Sequence, residues 1–498
     1  MAAKSLNVNK NLTPSGSEFA KISLMDKLGE KTIGLAATPE NRAGQPKTHA
    51  FKAAKTHKIR DRVKLEKPES ESSRAGRKLA KAVSSALTAA EPKNPDISRR
   101  IKTALTQMAG RKTSGLRSEI DSVATLRVDK VREEYHLTGR GVGVAVMDTG
   151  FNYPDYRLNG WADMTEGSPE PKDTMGHGTW CAGHLLNMAP EAELSAIKVL
   201  DEQGRLTDDA FIKGVQWAID HKKDKNIKIL SLSLGWYSNE KLLQEPDQES
   251  LKKSLPERFA EKRQYSSAPY VTRDYSPRDQ AVKKAVDAGL IVVVCANNTG
   301  PQPLSLNRYA DVPGVIVIGS SDKDNTLSKF SAIGPSLLGN GEVDVLAPGE
   351  KVLSLASPGS DMETTAKALD DLRKVDRRDL VEHLKKHPLP RKLIEGYELP
   401  ENPEKLTSKQ IDDLLALDDK SAVPGMVFAS GTSGSTPQGA GVIALMLEMK
   451  PDLTAAEIKT ILRASAVDLG SPREAQGGGL IDAKAALDLV RQMTTGKA

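Results

Sequence analysis

The chain has 498 residues, 71 Lys/Arg against 66 Asp/Glu, 38% apolar and 28% charged residues, and two cysteines, Cys181 and Cys295. At roughly 100–200 residues per domain it has room for two to four domains. Two cysteines exclude a disulfide-stapled scaffold of this size, and no apolar run approaches the ~18–20 residues of a membrane helix. The N-terminus lacks the apolar stretch of a secretory signal, so cytoplasmic synthesis is expected, with unconventional export left open.

The formal net charge of +5 hides an asymmetry. Residues 1–125 carry 25 Lys/Arg against 12 Asp/Glu, whereas the remainder carries 46 against 54. Opposite signs favour docking of the first part on the second, an attraction that salt weakens; a solvated basic tail is the alternative. Residues 1–75 hold only Phe19 and Phe51 as aromatics and show no sustained period, which predicts disorder. Ser98 reads as the cap of a helix carrying Ile101, Leu105 and Met108 on one face, stopped by Gly110.

From Gly141 the texture changes. Buried-strand runs occur at Gly141 to Met147, Leu194 to Leu200, Ile227 to Leu234, Leu290 to Ala296 and Val315 to Ile318, with helical patterns between several of them, at Asp208 to His221 and Gln280 to Ala288. Alternating strand and helix predicts an α/β fold, a mostly parallel sheet covered by helices on both faces. Two charged stretches, 238–278 and 357–424, interrupt the rhythm and read as insertions. In the second, Leu369, Leu372, Leu380 and Leu384 suggest a short helix pair, and Thr407-Ser-Lys-Gln410 reads as a capping box before Ile411, Leu414 and Leu415.

Four places hold chemically suggestive groups. The first strand ends in Asp148-Thr-Gly, and open α/β sheets carry functional groups just beyond strand carboxyl ends. Asp-Thr-Gly also occurs in aspartic proteases and at ordinary turns. Gly176-His177-Gly178 leaves an uncrowded imidazole, the usual general base near neutral pH, at the start of a small-residue helix. His184 follows on that helix, and neither histidine has zinc-ligand spacing. Asn298, after the most apolar strand, can donate to a developing oxyanion, or simply form an Asx turn. Ser433 stands where a buried helix begins, favoured by the positive end of its dipole; Ser435 is the rival nucleophile, and Ser430 reads as a turn residue.

The order Asp, His, Asn, Ser resembles the subtilisin-like serine proteases (subtilases, peptidase family S8); related geometries on other folds use other chain orders. The matching pieces are Val-Ala-Val-Met-Asp148-Thr-Gly, Gly-His177-Gly-Thr-Trp-Cys-Ala-Gly, Ser233-Leu234-Gly235, Ala-Asn-Asn298-Thr-Gly-Pro, Asp344-Val-Leu-Ala-Pro-Gly349 and Gly-Thr-Ser433-Gly-Ser-Thr-Pro. The resemblance implies a subtilisin-like doubly wound fold over 121–495, with the two insertions, and an endopeptidase working through an acyl-enzyme. Ser433 would be the nucleophile, His177 the base and Asp148 its orienting acid, with Asn298 in the oxyanion hole. Ser233, Leu234, Gly235 and Asn297 would line the substrate path, with peptide or protein as substrate.

The resemblance implies no cofactor or metal for the chemistry, although structural calcium is common in the family; no ligand spacing here names its residues. Residues 1–120 occupy the place of a pro-segment, an intramolecular inhibitor and substrate, with autocleavage expected between about 105 and 130. Neither membrane nor nucleic acid is expected as a partner. Alternatives are a peptide ligase or cyclase on the same fold, and a non-catalytic binding protein using the basic N-terminal region. The chain departs from the family pattern at Trp180, at Asn297 in place of a glycine, at Gly434-Ser435 and at Gln438-Gly439. Cys181 matches a position where some members carry a free thiol; a buried small hydrophobe is the plainer reading.

Overall fold

The computed structural model describes residues 96–109, 121–235, 275–302, 304–336, 338–417 and 420–495. The expected disorder of 1–75 and nearly all of the 238–278 insertion lie outside them.

Seven strands form one parallel sheet: β1 (Gly143–Asp148), β2 (Gly160–Asp163), β3 (Glu193–Lys198), β4 (Ile227–Leu232), β5 (Ile291–Cys295), β6 (Ile316–Ser321) and β7 (Val345–Pro348), in the order β2-β3-β1-β4-β5-β6-β7. Helices cover both faces, so β1, β5 and β6 are buried along their whole length, and β5 is apolar at every position. From β1 the chain runs to the edge strand β2, returns to β3 beside β1, then crosses over to place β4 on the other flank of β1. This switch point opens a crevice at the carboxyl ends of β1 and β4, where Asp148 and Ser233 stand.

Two helices meet behind that crevice. α3 (His177–Met188) follows α1 (Ile97–Ala109) and α2 (Val128–Tyr135); α10 (Thr432–Met449) follows α4 (Asp208–Asp220), α5 (Pro277–Asp287) and the four insertion helices given below. Every residue of α10 from Thr432 to Leu447 is buried, which accounts for its small and apolar composition. α1 packs on α3 through Ile97 and Ile101, both 1% exposed and part of the main core. Its cap is Asp96, whose carboxylate accepts from the Arg99 N–H at 2.9 Å. Ser98, expected as the cap, lies inside the helix and takes a 2.7 Å hydrogen bond from Arg132, because the aspartate two residues earlier is the better-placed acceptor.

The 357–424 stretch folds as four helices, α6 (Asp361–Arg373), α7 (Leu380–Lys386), α8 (Arg391–Gly396) and α9 (Ser408–Leu415), around a leucine core of their own. The Thr407/Gln410 capping box forms as read, whereas α8 carries no periodicity long enough to read. The ends of this insertion are stapled together: Asp370 accepts from the Ser421 hydroxyl at 2.9 Å and from the Ala422 N–H at 2.8 Å. The chain then enters a small antiparallel sheet of β8 (Val352–Leu355), β9 (Ala422–Val423) and β10 (Met426–Ala429), in the order β8-β10-β9, and β10 leads into α10. Among the described residues no helix is long and apolar enough to cross a membrane.

Candidate active site

Asp148 is the last residue of β1 and is 1% exposed. One carboxylate oxygen accepts from the Thr149 N–H and meets His177 Nδ1, both at 2.7 Å. His177 opens α3 and keeps 31% of its side-chain surface exposed towards the crevice. Burial alone would lower its pKa, but the Asp148 carboxylate outweighs that and holds it well above the ordinary 6.5. The neighbouring Cys181 thiol, 3.8 Å from Nδ1, is itself pushed up by burial and stays uncharged, so the pull is that of Asp148. Both cysteines are free and buried.

The loop that delivers His177 is ordered by a residue absent from the sequence reading. Asp173, 2% exposed, accepts from the Thr149 hydroxyl (2.8 Å), the Gly176 N–H (2.7 Å), and the N–H and hydroxyl of Thr179 (2.8 and 2.6 Å). One carboxylate thus ties the strand end bearing Asp148 to the helix start bearing His177. The signal was present four residues ahead of His177, but an acid in a loop has too many ordinary roles to single out.

Ser433 is the second residue of α10 and 8% exposed. Its hydroxyl donates to the Ser233 carbonyl at 3.4 Å, a long contact; among the described residues no hydrogen bond joins it to His177. The carbonyl of Ser433 is freed by Pro437, which has no N–H to return to it across one helical turn. Two neighbours take that carbonyl: Ser233 Oγ at 2.9 Å and Cys181 Sγ at 3.4 Å. The proline therefore links the serine helix to the Ser233–Gly235 segment and to α3. Ser435 is fully buried and donates to the Ala347 carbonyl at 2.9 Å, turned away from the crevice. Ser430 accepts from the Lys351 N–H at 3.0 Å.

Asn298 is oriented from α10. Its Oδ1 accepts from the N–H and hydroxyl of Thr432, at 2.8 and 2.9 Å, which leaves the NH2 end for an incoming group. The Ser433 N–H belongs to the first helical turn, whose donors have no partner within the helix. Gly431 keeps the space beside this amide open: a Cβ there would lie 3.2 Å from Asn298 Nδ2. Asn297 adopts φ 101°, the left-handed geometry that asparagine tolerates better than most residues, and is 4% exposed. Its side chain packs against Gly235, where a Cβ would meet Oδ1 at 2.3 Å. It does not line the crevice, whereas Ser233, Leu234 and Gly235 do.

The crevice has a volume of about 650 Å³ and brings together His177, Ser433, Asn298 and Ser233–Gly235. Part of its wall comes from α6 and α8 of the insertion. His184 is buried, and desolvation followed by repulsion from His177 lowers its pKa to about 3, so it is neutral. Among the described residues, the side chains close enough to share an ion are Asp148, His177 and Cys181. Their nitrogen and sulfur donors do not suit calcium, which takes oxygen ligands, so no calcium site is assigned.

Residues 139–480 match the family model described as Subtilase family. The chain is 32% identical over 358 residues to serine protease AprX of Bacillus subtilis (strain 168), an alignment covering 67% of this chain and 63% of that protein; the chain thus spans less than two thirds of that relative. It is 27% identical over 363 residues to subtilisin BL of Lederbergia lenta, covering 70% of this chain and 92% of the relative. Among solved structures, a cold adapted subtilisin-like serine proteinase is 20% identical, with a TM-score of 0.44 and coverage of 70% of this chain and 90% of that one.

Proposed function

Because this chain belongs to the subtilase family of serine peptidases, we propose that it is an endopeptidase that cuts peptide bonds through an acyl-enzyme on Ser433. The observation that carries the reading is the shared crevice: an imidazole held 2.7 Å from a buried carboxylate, a helix-initial serine and an oriented carboxamide all open onto it.

In this mechanism the Ser433 hydroxyl swings from the Ser233 carbonyl towards His177 Nε2. Its oxygen bonds to the scissile carbonyl carbon while its proton passes to Nε2, and Asp148 holds the Nδ1–H tautomer and the resulting imidazolium. The carbonyl oxygen, now an anion, takes hydrogen bonds from Asn298 Nδ2 and the Ser433 N–H. His177 then protonates the departing nitrogen, the C–N bond breaks, and water repeats the sequence to release the acid. The acyl side of the substrate lies extended along Ser233–Gly235. These groups suffice for the chemistry without a metal or an organic cofactor.

Residues 1–120 act in this reading as a regulatory segment cut between about 105 and 130. A cut after Ala109 would leave α1 held on α3 by Ile97 and Ile101. Intact mass over time, with N-terminal sequencing and a fluorophosphonate serine probe, tests the whole proposal. Wild type should label at Ser433 and shorten, while Ser433→Ala should do neither. Wild type that takes no probe after removal of residues 1–95 overturns the peptidase reading, and labelled enzyme that keeps Met1 overturns the processing step alone.

A further inference from the structure

The four-helix insertion is anchored beside the general base. Its first residues bond to the loop just ahead of His177: the Asp361 N–H donates to the Thr174 carbonyl at 2.9 Å, and the Met362 N–H to the Met175 carbonyl at 3.1 Å. Ser360 packs so tightly on Gly176 that a Cβ there would lie 2.5 Å from Ser360 Oγ. From this anchor Met362 and Thr365 on α6, and Leu393 and Tyr397 at α8, line the crevice together with Met175 and Phe428. Tyr397 is 42% exposed, a large aromatic left open to solvent at this wall, whereas the other face of the insertion is sealed by its leucine core.

The chemistry says which part of a substrate meets that wall. The acyl carbon must sit on Ser433 with its oxygen towards Asn298, and the departing nitrogen must lie against His177, which protonates it. Since the acyl side follows Ser233–Gly235, the chain beyond the broken bond leaves past the imidazole, where the insertion is fastened. Resting on the peptidase reading above, we infer that α6 and α8 form a leaving-side subsite for a bulky apolar side chain, with Met362 and Tyr397 as specificity-determining residues. The leucine core and the Asp370 staple hold this wall as a preformed surface, so that burial of the side chain is not offset by ordering the helices.

The test uses two substrate types with the full-length chain. Internally quenched peptides carry Ala, Leu, Phe, Lys or Glu at each of the first three positions after the scissile bond. A peptidyl ester with a small alcohol leaving group has no residue there and provides each variant with its own reference rate. Wild type should prefer Leu or Phe over Ala at one of these positions by about 10-fold or more in kcat/KM, the scale of one apolar group in a pocket. In Met362→Ala/Tyr397→Ala that preference should collapse relative to the ester rate, and Tyr397→Phe should retain it. Thr365→Trp, which fills the same space from a half-exposed position, should invert it. An absent preference in wild type, or one that survives both the double variant and Thr365→Trp, overturns the subsite. A wild type inert towards the ester both as the full-length chain and after removal of residues 1–95 overturns the peptidase reading itself.

Discussion

Trp180 lies close enough to the backbone of Gly434 that a Cβ at that position would sit 2.7 Å from the indole Cη2. The two residues belong to α3 and α10, and each departs from the family pattern in the direction that accommodates the other. The indole edge also packs on His184 with ring centroids 4.5 Å apart, and His184 faces Gln438, whose amide donates to the Pro348 carbonyl at 2.8 Å. Trp180, Gly434 and Gln438 are therefore a matched set that refills the helix interface beneath His177 and Ser433.

Gly434→Ala should test this coupling by the sign of its effect. An alanine inside a helix ordinarily stabilises by up to about 1 kcal/mol over glycine. Here the indole blocks the methyl group, and overpacking should cost about 1–3 kcal/mol. Denaturant melts in a Ser433→Ala background, which prevents self-digestion, should show Gly434→Ala lowering stability with Trp180 present and raising it in Trp180→Ala. An equal effect in both backgrounds would mean that the two residues do not interact.

Asn298 should matter to kcat far more than to KM. Asn298→Ala removes the donor proposed for the oxyanion, with an expected loss of about 10²–10³ in kcat, the scale known for this donor in a subtilisin. Thr432→Val keeps the N–H that orients the amide but removes the hydroxyl contact at 2.9 Å. Losing one hydrogen bond of about 0.5–1.5 kcal/mol predicts a milder fall of about 2- to 12-fold. Steady-state kinetics on a chromogenic peptide separate the two, and a Thr432→Val defect as large as that of Asn298→Ala would contradict a merely orienting role.

The pH profile follows from the raised pKa of His177. The ring must be neutral to accept the Ser433 proton, so kcat/KM should rise with pH and its acid limb should lie above 6.5. Asp148→Asn removes the carboxylate that raises the value. The limb should then move to lower pH while kcat falls by about 10⁴, as expected for a triad aspartate. In stability the sign is opposite. The charged pair supports the fold below the unfolded histidine value, and that support is lost as pH rises through the raised folded value. An acid limb unmoved by Asp148→Asn would assign it to another group.

Asp173→Asn should loosen the delivery of His177. The carboxylate accepts four hydrogen bonds, and an amide offers one oxygen, turning an NH2 towards groups that are themselves donors. A loss of about 1.5–3 kcal/mol is expected, together with a fall in kcat exceeding that in KM. Calorimetry paired with kinetics checks both, and full activity in a stable variant would remove Asp173 from the positioning network.

Much of the site was legible before the fold. Asp148, His177, Asn298 and Ser433 each stand at the end of an element that hydrophobic patterning alone locates, and the structure gathers the last three at one crevice with Asp148 buried behind His177. The rival Ser435 could not be dismissed from spacing. It lies two residues along the same helix, about 200° around it, and only the packing of β7 shows that its hydroxyl is spent on Ala347. Asn297 was expected to line the substrate path, but its buried side chain lies against Gly235 and outside the crevice.

The sequence by itself determined the strand–helix alternation, the buried sheet and the four chemically distinct groups, because periodicity and residue chemistry are local properties. Tertiary structure alone decided that Asp173 links the two halves of the charge pair, that Pro437 frees a carbonyl for Ser233 and Cys181, and that α6 and α8 stand beside His177. Each of these depends on contacts between residues up to 252 positions apart, and no local pattern records which surfaces a parallel crossover fold will bring face to face.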